Sequence, residues 1–278
     1  MKTRLLLIFI FTVLSVLSLY GVYYGQYNSE TSGVLANLGT GFVGTISTVL
    51  IVDWLYERRE NARVLPKRVV AHEDVRLLVV RTVGFWFDAY MASVPGDLPA
   101  TITELVNRDS FNKIYGHLDL NSEPNVTPSR TWWQFLPEQL GEFQRRCDMI
   151  LHRHSEILEP EAYLLVNKFV RSLPDPNFST TIRRSDAEFG YPRPHVLGGH
   201  IVVLSSYFSA LLELVSWCNR EAEEIKKAGI REVLTINESL IGNRPAGTPR
   251  CMIDPVQYAV QRERLAAYER AKETHVGQ

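Results

Sequence analysis

The amino-acid sequence predicts an all-α protein, with an N-terminal two-helix transmembrane hairpin followed by an antiparallel helical-bundle cytoplasmic domain. Three features point there. Charged side chains are absent from two apolar stretches, Leu5–Ser29 and Val34–Val52. Apolar residues between Trp132 and Ile157 recur mostly at three- and four-residue steps, the spacing of one helix face. Val75–Ala92 is apolar almost all round, as a helix central to a bundle is.

Charge placement says more than charge number. Of 30 basic and 31 acidic residues in 278, only Lys2, Arg4, Glu30 and Asp53 lie within residues 1–55. The remainder is near neutral and suits a water-soluble domain. Neutrality excludes a general nucleic-acid binder, which needs a basic face to displace counterions. Cys147, Cys218 and Cys251 are odd in number and far apart. They match neither a zinc or redox spacing nor a disulfide framework, and read as idle thiols in a reducing compartment.

The first span, Leu5–Tyr24, reaches about 30 Å as a helix, the thickness of a bilayer core. Tyr20, Tyr23 and Tyr24 stand at its far end, where amphipathic rings prefer the headgroup region. A signal peptide is the rival reading, but the apolar stretch is too long and no Ala-x-Ala-like site follows. The polar segment Gly25–Gly33 then reads as a tight turn into the second span, residues 34–55.

Within that span, Gly39-x-Gly41-x-x-Gly44 spells the dinucleotide fingerprint. The string needs a preceding strand and a βαβ unit, and an apolar helix supplies neither. Ala36, Thr40, Gly44 and Thr48 instead form a small-residue stripe that lets another helix approach closely in lipid. The stripe serves either the hairpin itself or a second copy of the chain. Asp53, beside Trp54 at the end of the span, reads as a solvated or Arg-paired interfacial carboxylate rather than a functional one.

Orientation follows from the basic residues. Lys2 and Arg4 precede the first span, and Arg58, Arg59, Arg63, Lys67 and Arg68 follow the second, with none between. The positive-inside rule places both termini in the cytoplasm. The second cluster, in the juxtamembrane segment 56–68, also suits contact with anionic lipid.

The cytoplasmic domain is expected over residues 69–228. Lys67–Ser93 reads as a helix with a narrow polar seam, Asp74, Arg81 and Asp88, and Pro95 and Gly96 end it. Thr101-x-x-Glu104 has capping-box spacing, Ser110–Leu120 suggests a further helix, and Asn121–Pro128 is a loop. Trp132, Leu136, Leu140, Phe143, Cys147, Ile150 and Ile157 mark the clearest amphipathic helix, with Pro137 either in its first turn or at a break. Pro160 suits the first position of the next helix, which runs through Leu164, Leu165 and Phe169 to a stop at Pro174. Residues 174–195 read as the longest loop, and Val196–Lys227 as the last long helix of the domain. Val196–Cys218 has only His200 and Glu213 as ionisable groups, so a third membrane span competes with a buried helix. The buried helix is preferred, because a charge at the centre of a lone span costs about 2.5–3.5 kcal/mol. Residues 229–278 are expected to form a polar tail, broken at Gly242–Pro249, with a charged terminal helix near Pro255–Thr274.

Chemistry-bearing motifs are sparse. His152, His154 and Glu156 make no ligand set on a helix, and His195 and His200 suit ligands only if the following helix begins after Gly199. No metalloprotease, nucleophile-elbow, P-loop or kinase element is present. The residues point to no cofactor and no metal. The sequons at Asn125, Asn177 and Asn237 are near chance number.

The segment GTGFVGTISTVLIVDWLYERRE (Gly39–Glu60) resembles uncharacterised bacterial inner-membrane proteins with two N-terminal spans and a cytoplasmic helical domain. The resemblance covers under a tenth of the chain. It implies a bacterial or phage-related setting in the inner membrane and carries no catalytic residue. Three functions stay open. The first is an adaptor, scaffold or sensor acting through a protein partner or through homo-oligomers. The second is a membrane-perturbing oligomeric effector, for example in antiviral defence. The third is an enzyme with a site near His195, His200 and the 174–195 segment.

Overall fold

The computed structural model describes residues 2–25, 28–201, 203, 205–240 and 248–276. The described residues are helical, joined by loops and isolated β-bridges, and contain no strand. The chain divides into two compact units, Met1–Pro66 and Lys67–Gln278.

The first unit holds α1 (Lys2–Tyr24) and the start of α2 (Ser29–Ser93). The turn expected over Gly25–Gly33 is shorter than its composition suggested, because Ser29–Gly33 already belong to α2. Gln26 and Tyr27 lie outside the described residues, as do the side chains of Lys2 and Arg4. The Phe11 and Phe42 rings lie 5.8 Å apart, and the buried Ser15 hydroxyl donates to the Gly39 carbonyl at 3.1 Å. Residue 11 thus meets 42 while 15 meets 39, so these segments run in opposite senses. A Cβ at Gly39 would lie 2.9 Å from Leu19 Cγ, so only glycine permits this approach. Among the described residues, α2 is the one helix long and apolar enough to cross a membrane, by length and composition. Phe9–Tyr24 is a shorter apolar helix.

The unit boundary falls inside α2 at Pro66, whose ring nitrogen has no N–H to continue the helical ladder. In the second unit, α2 lies among the other helices, with Val75, Leu78, Val79, Trp86 and Ala89 at most 1 % exposed. The all-round apolar pattern of Val75–Ala92 has this burial as its cause. The helix stops at Ser93, ahead of Pro95 and a Gly96 with positive φ.

Next come α3 (Ile102–Leu105) and α4 (Arg108–His117). Thr101 caps α3 by accepting the Glu104 N–H, while the Glu104 carboxylate reaches back to the N–H of Ala100. Asn107 caps α4 through Ser110. α5 (Trp132–Arg153) buries Trp132, Trp133, Leu136, Leu140, Phe143, Cys147 and Ile150, the stripe expected from its spacing. Pro137 sits inside the helix without breaking it. Ile157 falls beyond its end, in the turn before α6 (Pro160–Ser172). α6 packs on both α5 and α8 (Ser205–Lys227) through Ala162, Val166 and Phe169, with Leu164 turned outward at 65 % exposed.

Two expectations are corrected here. Residues 174–195 are not a long loop, because α7 (Phe178–Phe189) occupies the middle of the segment. Buried Phe178 and partly buried Ile182 hold α7 on the core, and Gly190 at φ +62° closes it. The last core helix begins at Ser205 rather than Val196, since Leu197–Gly199 form a 3₁₀ turn that packs against α4. That break removes the continuous span considered for Val196–Cys218. Tyr207, Ala210, Leu211 and Leu214 of α8 are buried in the core, and Glu213 pairs with Lys168 at 2.7 Å.

The polar region after Gly229 packs back on the bundle. The Asn219 side chain brackets the backbone N–H and carbonyl of Ile236, and residues 100–102 and 238–240 exchange backbone hydrogen bonds. Of the break placed at Gly242–Pro249, residues 242–247 lie outside the described residues. Cys251 then bridges α2 and the segment after α4, its N–H donating to the Ala92 carbonyl and its carbonyl accepting from Asp119. The terminal helix α9 (Pro255–Val276) docks on residues 189–195, where the Tyr268 hydroxyl donates to the Phe189 carbonyl at 3.0 Å.

Candidate functional site

The structure distributes the residues singled out from sequence rather than gathering them. In the first unit, Thr40 donates to the Ala36 carbonyl and Thr48 to that of Gly44, each at 2.9 Å. The stripe Ala36, Thr40, Gly44 and Thr48 lies off the α1 contact, which uses Gly39 and Phe42, and its last three members are exposed. Asp53 is half-buried and engaged within the protein. In the basic cluster, Arg58 stacks over Trp54 at 5.3 Å, and Arg59, Arg63 and Lys67 are exposed. Arg68 differs from them. Its guanidinium donates twice to the Glu221 carboxylate, at 3.0 and 2.8 Å, and once to Glu159 at 3.2 Å. Glu221 is buried, and burial pushes its carboxyl above the usual range, opposed by Arg68.

His195 and His200 both meet Trp133, their ring centroids 6.2 and 4.6 Å from it. Nε2 of His200 donates to the Pro194 carbonyl at 3.1 Å, and its Nδ1 is buried without a partner among the described residues. Burial lowers its pKa to about 4, so the ring is neutral at pH 7. His195 is exposed, with its backbone N–H held by the Gln261 side chain. No third ligand joins them, and the described residues contain no group of three metal-ligating side chains. All three cysteines are buried free thiols. Burial pushes Cys147 and Cys218 up to about 12, which leaves almost no thiolate at neutral pH.

A cleft of about 1070 Å³ opens elsewhere in the second unit, between α2, α5, the loop before α5 and the 248–251 segment. Its apolar wall is aromatic, with Phe85 centred 6.0 Å from Trp132, 5.9 Å from Phe135 and 5.7 Å from Phe143. Gly84 stands in the α2 wall among Arg81, Phe85 and Asp88, and a Cβ added there would meet no atom within 4 Å beyond its chain neighbours and its own helix backbone. The Cys251 thiol donates to the Glu123 carbonyl at 3.3 Å, tying two of the walls together.

The cleft's charges are unevenly committed. Glu142 is shared by Arg145 and Arg146 at 2.9 and 2.8 Å. Against the pull of burial, these two arginines hold its carboxyl below the usual range. Glu123 accepts from the Ser129 hydroxyl, and Asp88 is engaged within the protein. Arg81 and Arg250 are exposed and have no hydrogen-bond or ion-pair partner among the described residues. The lining therefore carries three arginines, Arg81, Arg146 and Arg250, and three carboxylates, Asp88, Glu123 and Glu142. The polar seam that includes Arg81 and Asp88 is the signal the sequence offers for this cleft. It gave no reason to join them to Phe135, Glu142 or Arg250.

Comparison with protein-family models, with curated proteins and with solved structures finds no match to this chain.

Proposed function

We propose that this is an integral protein of the inner (plasma) membrane, held by a hairpin of α1 and the first half of α2. In this reading both termini and the bundle lie in the cytoplasm. It acts by self-association or by binding a protein partner, as adaptor, scaffold or sensor. The observation that carries this is the division of α2 into two faces. Gly39 and Phe42 take up α1, while Ala36, Thr40, Gly44 and Thr48 stay off that contact with both Thr hydroxyls closed on the helix's own carbonyls. A small-residue row with its polar groups satisfied is a surface on which a second helix packs closely in lipid. The length and apolar character of α2 support insertion, and the basic residues flanking the spans support the orientation.

Alkaline carbonate extraction tests the anchor. The full chain is expected to stay with the membrane, and a chain lacking residues 1–55 to be released; release of both refutes insertion. Mass measurement in detergent tests association. An oligomer that Gly44→Leu reduces to the monomer supports the row, and an unchanged mass removes it.

The same exposed row supports a second function, a membrane-perturbing oligomer. Ion leakage from cells expressing the chain, abolished by Gly44→Leu, favours it over an adaptor; tight membranes at high expression count against it.

A further inference from the structure

We propose that α9 is a releasable strap, docked on residues 189–195 and able to leave the bundle while the bundle stays folded. This stands on the second unit alone and is independent of how the protein meets a membrane.

The chain changes character at one point. Up to Ile253 it belongs to the core: Cys251 and Ile253 are buried, and their backbones bond to Ala92, Asp119 and His117. Beyond that point, none of the residues of α9 whose burial is described is buried. By contrast, α5, α6 and α8 each bury four or more side chains. Burial of an apolar face is what commits a helix to a core, and α9 lacks it.

One half-buried stripe holds α9 in place, formed by Tyr258, Gln261, Leu265 and Tyr268 at three- and four-residue steps. The Tyr268 hydroxyl donates to the Phe189 carbonyl at 3.0 Å, and the Tyr191 hydroxyl to the Glu269 carboxylate at 3.3 Å. The Gln261 side-chain oxygen accepts the His195 N–H at 3.0 Å. The Tyr191 and Tyr268 rings meet edge to face, 5.4 Å between centroids. All three hydrogen bonds are exposed, so water replaces them at little net cost. Undocking therefore strands no buried polar group.

The released strap keeps helical character. Asp254 caps it locally, its carboxylate accepting the Val256 N–H at 2.9 Å, and Arg262–Ala267 are all strong helix formers. The pivot falls at Asp254 and Pro255, where Pro255 has no N–H to tie the helix back. Release turns Tyr258, Leu265 and Tyr268 outward and uncovers Tyr191 and the backbone N–H of His195.

The test is distance measurement between nitroxides at Thr180→Cys and Ala266→Cys in the full chain in detergent. Both positions are exposed, and the native thiols are buried. A docked strap gives one narrow distance, and a released one adds a second, broader population. Gln261→Ala with Tyr268→Ala is expected to raise the released share about fivefold or more. The melting temperature of that variant is expected to stay within about 2 °C of the parent, because the core is untouched. An unchanged distance distribution in the variant overturns the proposal. So does a larger fall in melting temperature, which would make α9 part of the cooperative core.

Discussion

Trp86 Nε1 donates a 2.7 Å hydrogen bond to the hydroxyl of Tyr207, and both side chains are fully buried. The bond joins α2 to α8 across 121 residues of chain. It sits at the centre of an aromatic group in which Trp86 packs on Phe111 at 4.6 Å and Tyr207 on Phe169 at 5.2 Å. Each polar atom here is the other's escape from an otherwise apolar interior, so the pair ties two helices in one register.

Tyr207→Phe keeps the ring and removes the acceptor, stranding the indole N–H. The expected loss is about 1–3 kcal/mol, read as a lower melting temperature of the full chain in detergent. An unchanged melting temperature would show that the bond contributes nothing net.

His200 makes stability depend on pH. Its folded pKa, about 4, lies below the ordinary value near 6.5. The contribution is therefore complete above about pH 6.5 and is lost as pH falls, because the unfolded chain takes up a proton that the folded ring resists. By pH 4 the loss is on the order of 3 kcal/mol. His72, lowered by the same burial, adds in the same direction. His200→Gln should flatten the acid limb of a stability-against-pH curve measured by chemical denaturation. A limb of unchanged steepness would exclude His200 as a source.

Arg68 and Glu221 couple the start of the second unit to α8. Arg68→Ala leaves a carboxylate only 5 % exposed without its main cation. Arg68 is itself 31 % exposed, so the expected cost is discounted for solvent to about 1–3 kcal/mol. Glu221→Gln, which also relieves the buried charge, should cost less. The two variants and the double variant, compared by denaturation, give a coupling energy; additive losses would mean that the ion pair is idle.

Gly39 and Gly44 are expected to separate two contacts of one helix. At residue 39, a larger side chain collides with Leu19, and overpacking of this kind costs about 1–3 kcal/mol. Disulfide formation between Phe11→Cys and Phe42→Cys should slow several-fold in Gly39→Leu. It should keep its rate in Gly44→Leu, where nothing lies within 4 Å. Equal slowing in both would contradict the two-face division of α2.

Gly84→Ala should stabilise the protein by about 0.5–1 kcal/mol, because an alanine in a helix interior costs less entropy to order. The room for its Cβ is open. A lower melting temperature would mean that the added methyl group meets a contact that outweighs the gain in helix entropy.

The helices that were legible from sequence are those whose burial is one-sided and regular. α5 announced Trp132, Leu136, Leu140, Phe143, Cys147 and Ile150 by spacing alone, and α6 announced its first turn by Pro160. The capping box at Thr101 and Glu104 needed only local chemistry. α7 was missed because Phe178 and Ile182 are its main apolar anchors; the polar residues around them looked like loop until the core surface beneath was in view. The start of α8 was misplaced for the opposite reason. Val196–Val203 is apolar, but its chain path is set by hydrogen bonds to distant partners, including the Tyr115 hydroxyl and the Leu118 carbonyl, which no local pattern encodes.

By itself, the sequence determined the all-helical class, the position of the apolar N-terminal stretches and the division of charge along the chain. These follow from side-chain period and solvation, which act over a few residues. Only the tertiary structure decided that Arg68 turns to Glu221, that the stripe on α2 lies away from α1, and that Arg81, Phe135 and Arg250 share one cleft. The first and the last are meetings of residues far apart in the chain, fixed by how the helices of the second unit pack around Trp86 and Tyr207. A pattern read along one dimension carries no term for such a meeting.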